Sequence, residues 1–202
     1  MRMSDGPISV PDSWTLGDLL AAGWSADDLE WENSCEAGMA ALADGRQQDA
    51  ADCLARAVRT AHASFADNDP RLGTSLFNHG AALIAAGEEK ASGRTLADAA
   101  EIWRRADDWV AAMTAPRVAR SSLFHMRMEQ LHRATYEERW RVKWAELVAE
   151  ARGRIAGSGP LWLVTPAEAA ERLARWHRER PALLNDTRKL MAAALLLACV
   201  RT

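Results

Sequence analysis

An internal repeat of 42 residues is the feature that most constrains how this chain can fold. The segment EAGMAALADGRQQDAADCLARAV, residues 36–58, lies over NHGAALIAAGEEKASGRTLADAA, residues 78–100. Self-similarity at a fixed period of this length is typical of stacked repeat architectures. Identical residues in the two segments include Gly38 and Gly80, Ala40 and Ala82, Gly45 and Gly87, Leu54 and Leu96, and Ala57 and Ala99.

The repeated small residues indicate pairs of antiparallel helices that approach each other closely. A glycine inside a helix has no side chain to hold a neighbouring helix away. A glycine after a helix supplies the left-handed backbone that allows a sharp turn. The repeat therefore predicts two helix pairs, over residues 31–66 and 73–108, each with a glycine at the turn between its helices.

The composition favours helix throughout the chain. Alanine accounts for 41 of the 202 residues, whereas tyrosine occurs once. Alanine loses no side-chain entropy in a helix and offers little to a pleated sheet. Because no long segment alternates apolar and polar residues, and LWLVT at residues 161–165 is too isolated to build a sheet, we predict an all-α fold.

Helix start and stop signals divide the chain into three regions. Residues 1–25 form a lead-in with a short helix over 15–22. Residues 26–156 form the repeats, beginning at a capping box of Ser25 and Asp28. A third, degenerate repeat has helices over 116–134 and 136–155. After the GSGP turn at 157–160, residues 157–202 form a helical cap, with helices opening at Pro166 and running over 183–200.

The paired-helix pattern resembles the tetratricopeptide repeat (TPR), and the long offset resembles the repeats of kinesin light chains. The resemblance implies a short right-handed α-solenoid of antiparallel helix pairs with helical caps. It also implies a non-catalytic protein-binding module, namely a cytoplasmic adaptor or assembly chaperone without a cofactor. Such a module holds a protein or peptide segment in the concave groove lined by the first helix of each pair.

The same resemblance indicates which residues line that groove. In the family an asparagine at the place of Asn78 often clamps the backbone of a bound peptide, although Asn78 could instead bridge neighbouring helices. Arg120 and Arg127 could bind a carboxylate. The residues implied as the partner-binding groove are Glu36, Met39, Phe77, Asn78, Ala81, Arg120, Leu123 and Arg127.

Two other functions remain open as alternatives. His125, Glu129 and His132 would share one helix face and could serve a metal-dependent enzyme, but a di-iron bundle needs a second Glu-x-x-His motif and two more glutamates. A nucleic-acid-linked regulator could use the tryptophans of the basic half, of which Trp162 is expected to be exposed. The acidic first half and the sequence pI near 6.0 make nucleic acid an unlikely partner.

Charge and apolar runs bear on the compartment and on self-association. Residues 1–100 hold 7 Lys and Arg against 16 Asp and Glu, and residues 101–202 hold 18 against 12, which allows a homo-oligomer. Three cysteines without metal-ligand spacing fit a reducing cytoplasm. The run LMAAALLLACV, residues 190–200, is too short to span a membrane. It predicts a buried helix, which could fill the groove of its own chain.

Overall fold

The structure is a computed structural model that describes residues 16–21, 24–112, 127, 130–156, 159–179 and 192–200. The described part is mostly helical. The helices are α1 Leu16–Ala21, α2 Ala26–Ala43, α3 Gln47–Ser64, α4 Pro70–Ala85, α5 Glu89–Arg104, α6 Ala106–Ala112, α7 Arg133–Ile155 and α8 Pro166–Glu179. A 3-10 turn spans Ala192–Leu195, and strands β1 Leu161–Leu163 and β2 Ala198–Val200 pair antiparallel.

Two helix hairpins, α2–α3 and α4–α5, repeat the same backbone geometry 42 residues apart. Gly45 and Gly87 have positive φ values of 73° and 84° at the two turns. Each turn is closed by the same bond, from Arg46 N to Ala41 O in the first hairpin and from Glu88 N to Leu83 O in the second, both 2.8 Å. The predicted glycine turns are confirmed, and α2, α3, α4 and α5 pack in succession.

The glycines inside α2 and α4 allow the close approach that the repeat predicts. A methyl group on Gly38 would lie 2.6 Å from Leu54 Cγ, and one on Gly80 would lie 2.8 Å from Leu96 Cδ2. Both distances are shorter than carbon atoms tolerate. The glycine of each first helix therefore receives the leucine of its paired second helix, which explains why both positions recur in the repeat.

This contact makes Gly38→Ala a destabilising substitution, even though alanine is the better helix former. The gain in helix propensity is about 1 kcal/mol. Overpacking against Leu54, which is fully buried, costs about 1–3 kcal/mol, so we expect a net loss of stability in urea unfolding. Gly93→Ala is the matched control, because nothing lies within 4 Å of an added methyl group there. Equal gains in stability for both variants would contradict the proposed contact.

The helix starts follow local signals in the first half of the chain. Ser25 Oγ accepts from Asp28 N and Ser25 N donates to Asp28 Oδ2, so the predicted capping box is confirmed. Asp69 caps α4, with its side chain accepting from Arg71 N at 2.9 Å. Helix α7 begins three residues before the predicted Tyr136. Most of the predicted helix over 116–134 lies outside the described residues.

The predicted helix over residues 183–200 is wrong wherever the structure describes it. Residues 192–195 form a 3-10 turn and residues 198–200 form a strand. The expectation that 161–165 forms no sheet is also wrong, because Leu161–Leu163 pairs with Ala198–Val200. A fully apolar run has no polar face, so periodicity does not distinguish a buried helix from a buried strand. Pairing with β1 decides between them.

The largest buried side chains join the hairpins to the C-terminal region. They include Trp31, Trp103, Trp144, Phe77, Leu54, Leu195, Leu196 and Leu197. The 3-10 turn packs on α4, α7 and α8, and β2 packs on α7 and α4. Residues 192–200, called the terminal segment below, are therefore part of the core. On α7, Trp144, Leu147 and Ala151 are also buried in this core.

Candidate functional site

Helices α2 and α4, the first helices of the two hairpins, are joined by buried side-chain bonds. The indole Nε1 of Trp31 on α2 donates to Ser75 Oγ on α4 at 2.7 Å. The Ser75 hydroxyl in turn donates to the backbone oxygen of Arg71. These buried bonds fix the two first helices against each other, so that side chains from both can contact the same bound segment.

A buried ion cluster of Asp28, Arg71 and Asp69 fixes the start of α4 against α2. Arg71 pairs with Asp69 Oδ2 at 2.8 Å and with Asp28 Oδ1, and the three side chains are only 7%, 2% and 6% exposed in the order Arg71, Asp69, Asp28. The guanidinium carbon also lies 3.4 Å from the centre of the Phe65 ring. One arginine therefore bonds to a carboxylate from each of the two helix starts and also lies over an aromatic face.

Asn78 on α4 holds the backbone of the terminal segment with both ends of its amide. Its Nδ2 donates to Leu195 O at 2.8 Å, and its Oδ1 accepts from Leu197 N at 2.8 Å. One turn earlier, Thr74 Oγ1 donates to Ala192 O at 3.1 Å. Asn78 and Thr74 are both fully buried. Together they bind three backbone groups, of which Ala192 O and Leu195 O belong to the 3-10 turn and Leu197 N to the chain that follows it.

The other residues predicted for the groove fall into two groups. Met39, Phe77 and Ala81 are 3%, 1% and 0% exposed, and Glu36 is partly buried on α2. The α2 and α4 residues of the predicted groove are therefore buried or partly buried in the folded chain. Arg127 is exposed, while Arg120 and Leu123 lie outside the described residues. No described contact joins Arg127 to Asn78.

The terminal segment is held on its other side by β1. Leu163 lies opposite Ala198, Trp162 opposite Cys199 and Leu161 opposite Val200. The ladder continues with a bond from Val164 N to Leu197 O at 2.8 Å. On the outer side of this arrangement, Trp162 is 50% exposed and Leu163 is 41% exposed. Sequence reasoning missed this strand pair because each strand has only three residues.

A small apolar cavity remains where the terminal segment meets α2 and α8. Its volume is about 40 Å³. Leu197 contributes from the terminal segment, and the rest of the wall comes from α2 and from the chain that leads into α8. The lining residues are Met39, Leu42, Ala43, Leu163, Val164, Pro166, Ala169 and Leu197. The fit between Leu197 and its surroundings is therefore incomplete.

The thiol of Cys35 on α2 is buried near two carboxylates. Burial raises the pKa of Cys35 well above its ordinary value, and Glu32 and Glu36 raise it further because they disfavour a second negative charge nearby. The thiolate is the nucleophilic form of cysteine. Cys35 therefore stays a neutral thiol at physiological pH and serves as a small apolar side chain of α2.

The residues of the two alternative functions are only partly described. His132 is exposed just before α7, whereas His125 and Glu129 lie outside the described residues. Within the described ranges, no group of three or more His, Cys, Asp or Glu side chains could hold a metal ion. Among the tryptophans of the basic half, Trp103 and Trp144 are buried and Trp162 is exposed as predicted. No helix in the described part is long and apolar enough to cross a membrane.

No protein-family model, curated protein or solved structure matches this chain. Its function is therefore inferred from the geometry of the α2 and α4 face.

Proposed function

We propose that this chain is a short right-handed TPR-like α-solenoid and a non-catalytic protein-binding module. It holds an apolar segment of a partner protein, a turn followed by extended chain, against the face of α2 and α4, in the manner of an adaptor or assembly chaperone of the cytoplasm. The observation that carries this proposal is the amide of Asn78, which bonds to both Leu195 O and Leu197 N.

An asparagine side chain suits this task because one amide offers a donor and an acceptor. Bonding to a carbonyl and to the N–H two residues later recognises the backbone of a non-helical chain whatever its side chains are. Thr74 adds a third backbone bond. A backbone group that loses water without finding a partner costs about 1–3 kcal/mol. A segment bound in another register or orientation would leave such groups unpaired, so these bonds fix its register and orientation.

Selectivity then comes from the apolar surroundings of the clamp. Phe77 and Ala81 lie near Asn78 on α4 and Met39 lies on α2; all three are buried, and Met39 lines the cavity beside Leu197. A segment with leucine-sized side chains gains burial energy there. The buried contacts are those of a binding surface for apolar sequence, and the exposed Arg127 is a candidate contact for acidic residues that flank such a segment.

The full-length Leu197→Asp variant tests this proposal, because a carboxylate at this buried position should release the terminal segment from the face. A fluorescent peptide with the sequence of residues 192–200, carrying serine for Cys199 and a lysine tag, is titrated by fluorescence polarisation. We expect it to bind the variant. Adding Asn78→Ala should weaken binding about tenfold or more, because two backbone bonds are lost.

The control peptide has an N-methyl leucine at the position of Leu197, which replaces the N–H that donates to Asn78 Oδ1 by a methyl group. Circular dichroism checks that both protein variants keep their helices. Equal binding of the two peptides, or no effect of Asn78→Ala, would show that the amide does not hold a ligand and that the proposed function is wrong.

A further inference from the structure

We propose that the partner enters this site by strand exchange: its segment displaces the terminal segment from α4 and pairs with β1 in its place. This inference rests on the proposed function and adds how the site is regulated and what kind of segment it accepts. The terminal segment is thus an internal ligand that occupies the site until a strand with higher affinity displaces it.

The site is composite, because a single residue of the terminal segment bridges its two walls. Leu197 donates its N–H to Asn78 Oδ1 on one side and accepts from Val164 N with its carbonyl on the other, both at 2.8 Å. In a regular strand both groups of one residue face the same neighbour, so Leu197 is the position where the chain passes from its contact with α4 to its pairing with β1. Any segment that replaces it must make the same transition, and an α-helical ligand does not fit, since its backbone groups bond to each other.

The terminal segment is a poor strand, which leaves room for a competitor. Its paired residues are Ala198, Cys199 and Val200, of which only valine strongly favours a strand. The cavity of about 40 Å³ beside Leu197 shows that a larger side chain would fit there. The preferred partner segment is therefore apolar, with a side chain larger than leucine at the place of Leu197 and a β-branched residue at the place of Cys199, opposite Trp162. It keeps a small residue at the place of Ala198, which is fully buried.

The exposed surface next to β1 favours a longer partner strand. Trp162 and Leu163 keep about half and two fifths of their surface exposed while the terminal segment is in place. A longer or bulkier strand would cover more of them. A second copy of this chain offers only the same terminal segment, which makes the same contacts in either chain and gains nothing by exchange. A different protein is therefore the expected donor.

A single substitution can lock the internal strand, because Cys199 lies directly opposite Trp162. Opposed residues of antiparallel strands have Cα atoms about 4.5–5.5 Å apart, which is within reach of a disulfide. Trp162→Cys, oxidised, therefore ties β2 to β1 in the full chain. The same variant after reduction, and Trp162→Ser, are its matched controls.

Two peptides are titrated against wild type and the locked variant. The first is the peptide of residues 192–200 described above, and the second, the valine peptide, has valine at the position of Cys199, where it lies opposite Trp162. We expect the valine peptide to bind wild type about tenfold more tightly than the first. Oxidation of the locked variant should weaken both about tenfold or more, and reduction should restore binding.

Hydrogen exchange of wild type provides a readout that needs no variant. Adding the valine peptide should speed exchange of the amides of the displaced residues 195–200 and leave α3 protected. Binding that is unaffected by the disulfide, or binding without faster exchange in residues 195–200, would overturn strand exchange. Light scattering is run alongside: a dimer that disappears on locking would make a second copy the donor and overturn the assignment to another protein.

The Leu197→Asp experiment separates the two proposals. Binding to that variant combined with no binding to wild type would leave the peptide-binding function standing and reject exchange. No binding to either would reject both.

Discussion

Replacing Arg71 with methionine is expected to lower the free energy of unfolding by about 3–5 kcal/mol, the range for removing one partner of a buried ion pair. The substitution keeps most of the apolar volume but leaves the carboxylates of Asp28 and Asp69 buried without their shared cation. Those side chains are 6% and 2% exposed, so water replaces the guanidinium poorly. The contact with the Phe65 ring is lost as well.

Urea unfolding followed by circular dichroism measures this loss. Arg46→Met is the control, because Arg46 pairs with Asp44 and Asp49 on an exposed turn, where ion pairs contribute little. A triple variant that combines Arg71→Met with Asp28→Asn and Asp69→Asn removes all three charges and should regain much of the stability. An Arg71 variant no less stable than the Arg46 variant would contradict the role assigned to the buried cluster.

The helix hairpins could be predicted from the sequence because their signals are local. Gly45 and Gly87 end their helices through a backbone conformation that glycine adopts easily. Ser25 and Asp28 cap α2 with bonds that span only three residues. Each signal depends on the nearest turn of chain, so repetition at a fixed offset was enough to place four helices.

The buried ion cluster could not be predicted in the same way. Both aspartates belong to helix starts: Asp28 accepts from the N-cap backbone N–H of Ser25, and Asp69 caps α4. Both aspartates also bond to Arg71, and this depends on how α2 and α4 pack. Asp28 and Arg71 are 43 residues apart in sequence, so no local pattern relates them. An arginine in an apolar helix has no local pattern that reveals a buried partner.

Part of the candidate site could be predicted from the sequence, but the non-helical conformation of the terminal segment that occupies it could not. The resemblance placed Asn78 on the face of the first helices and implied that its amide clamps a peptide backbone. In the structure that amide bonds to this chain's own residues 195 and 197. The apolar run was expected to be helical, because strand pairing over three residues leaves no periodicity to detect.

The second large effect is expected at this clamp: Asn78→Ala should loosen the terminal segment before it disturbs the hairpins. The substitution leaves Leu195 O and Leu197 N buried without a partner, at about 1–3 kcal/mol for each group. Either the chain keeps its place and bears that loss, or residues 195–200 detach and regain water. In both cases the opening of the segment becomes more favourable than in wild type.

Hydrogen exchange resolves where the stability is lost. In Asn78→Ala the amides of residues 197–200 should exchange at least about tenfold faster, since 1.4 kcal/mol corresponds to a factor of ten. Amides of α3 should remain protected, because α3 packs on α2 and α4 rather than on the terminal segment. Asn33→Ala, at an exposed position of α2, controls for the loss of an amide alone.

The pattern of protection distinguishes a clamp from an ordinary core residue. If Asn78 serves only to stabilise the packed core, its loss lowers global stability and all buried amides exchange faster together. If it holds a separable strand, exchange rises in residues 197–200 and in β1 while the two hairpins stay protected. Only the second pattern fits a terminal segment that a partner strand can displace, because displacement requires that the hairpins remain folded when residues 192–200 leave.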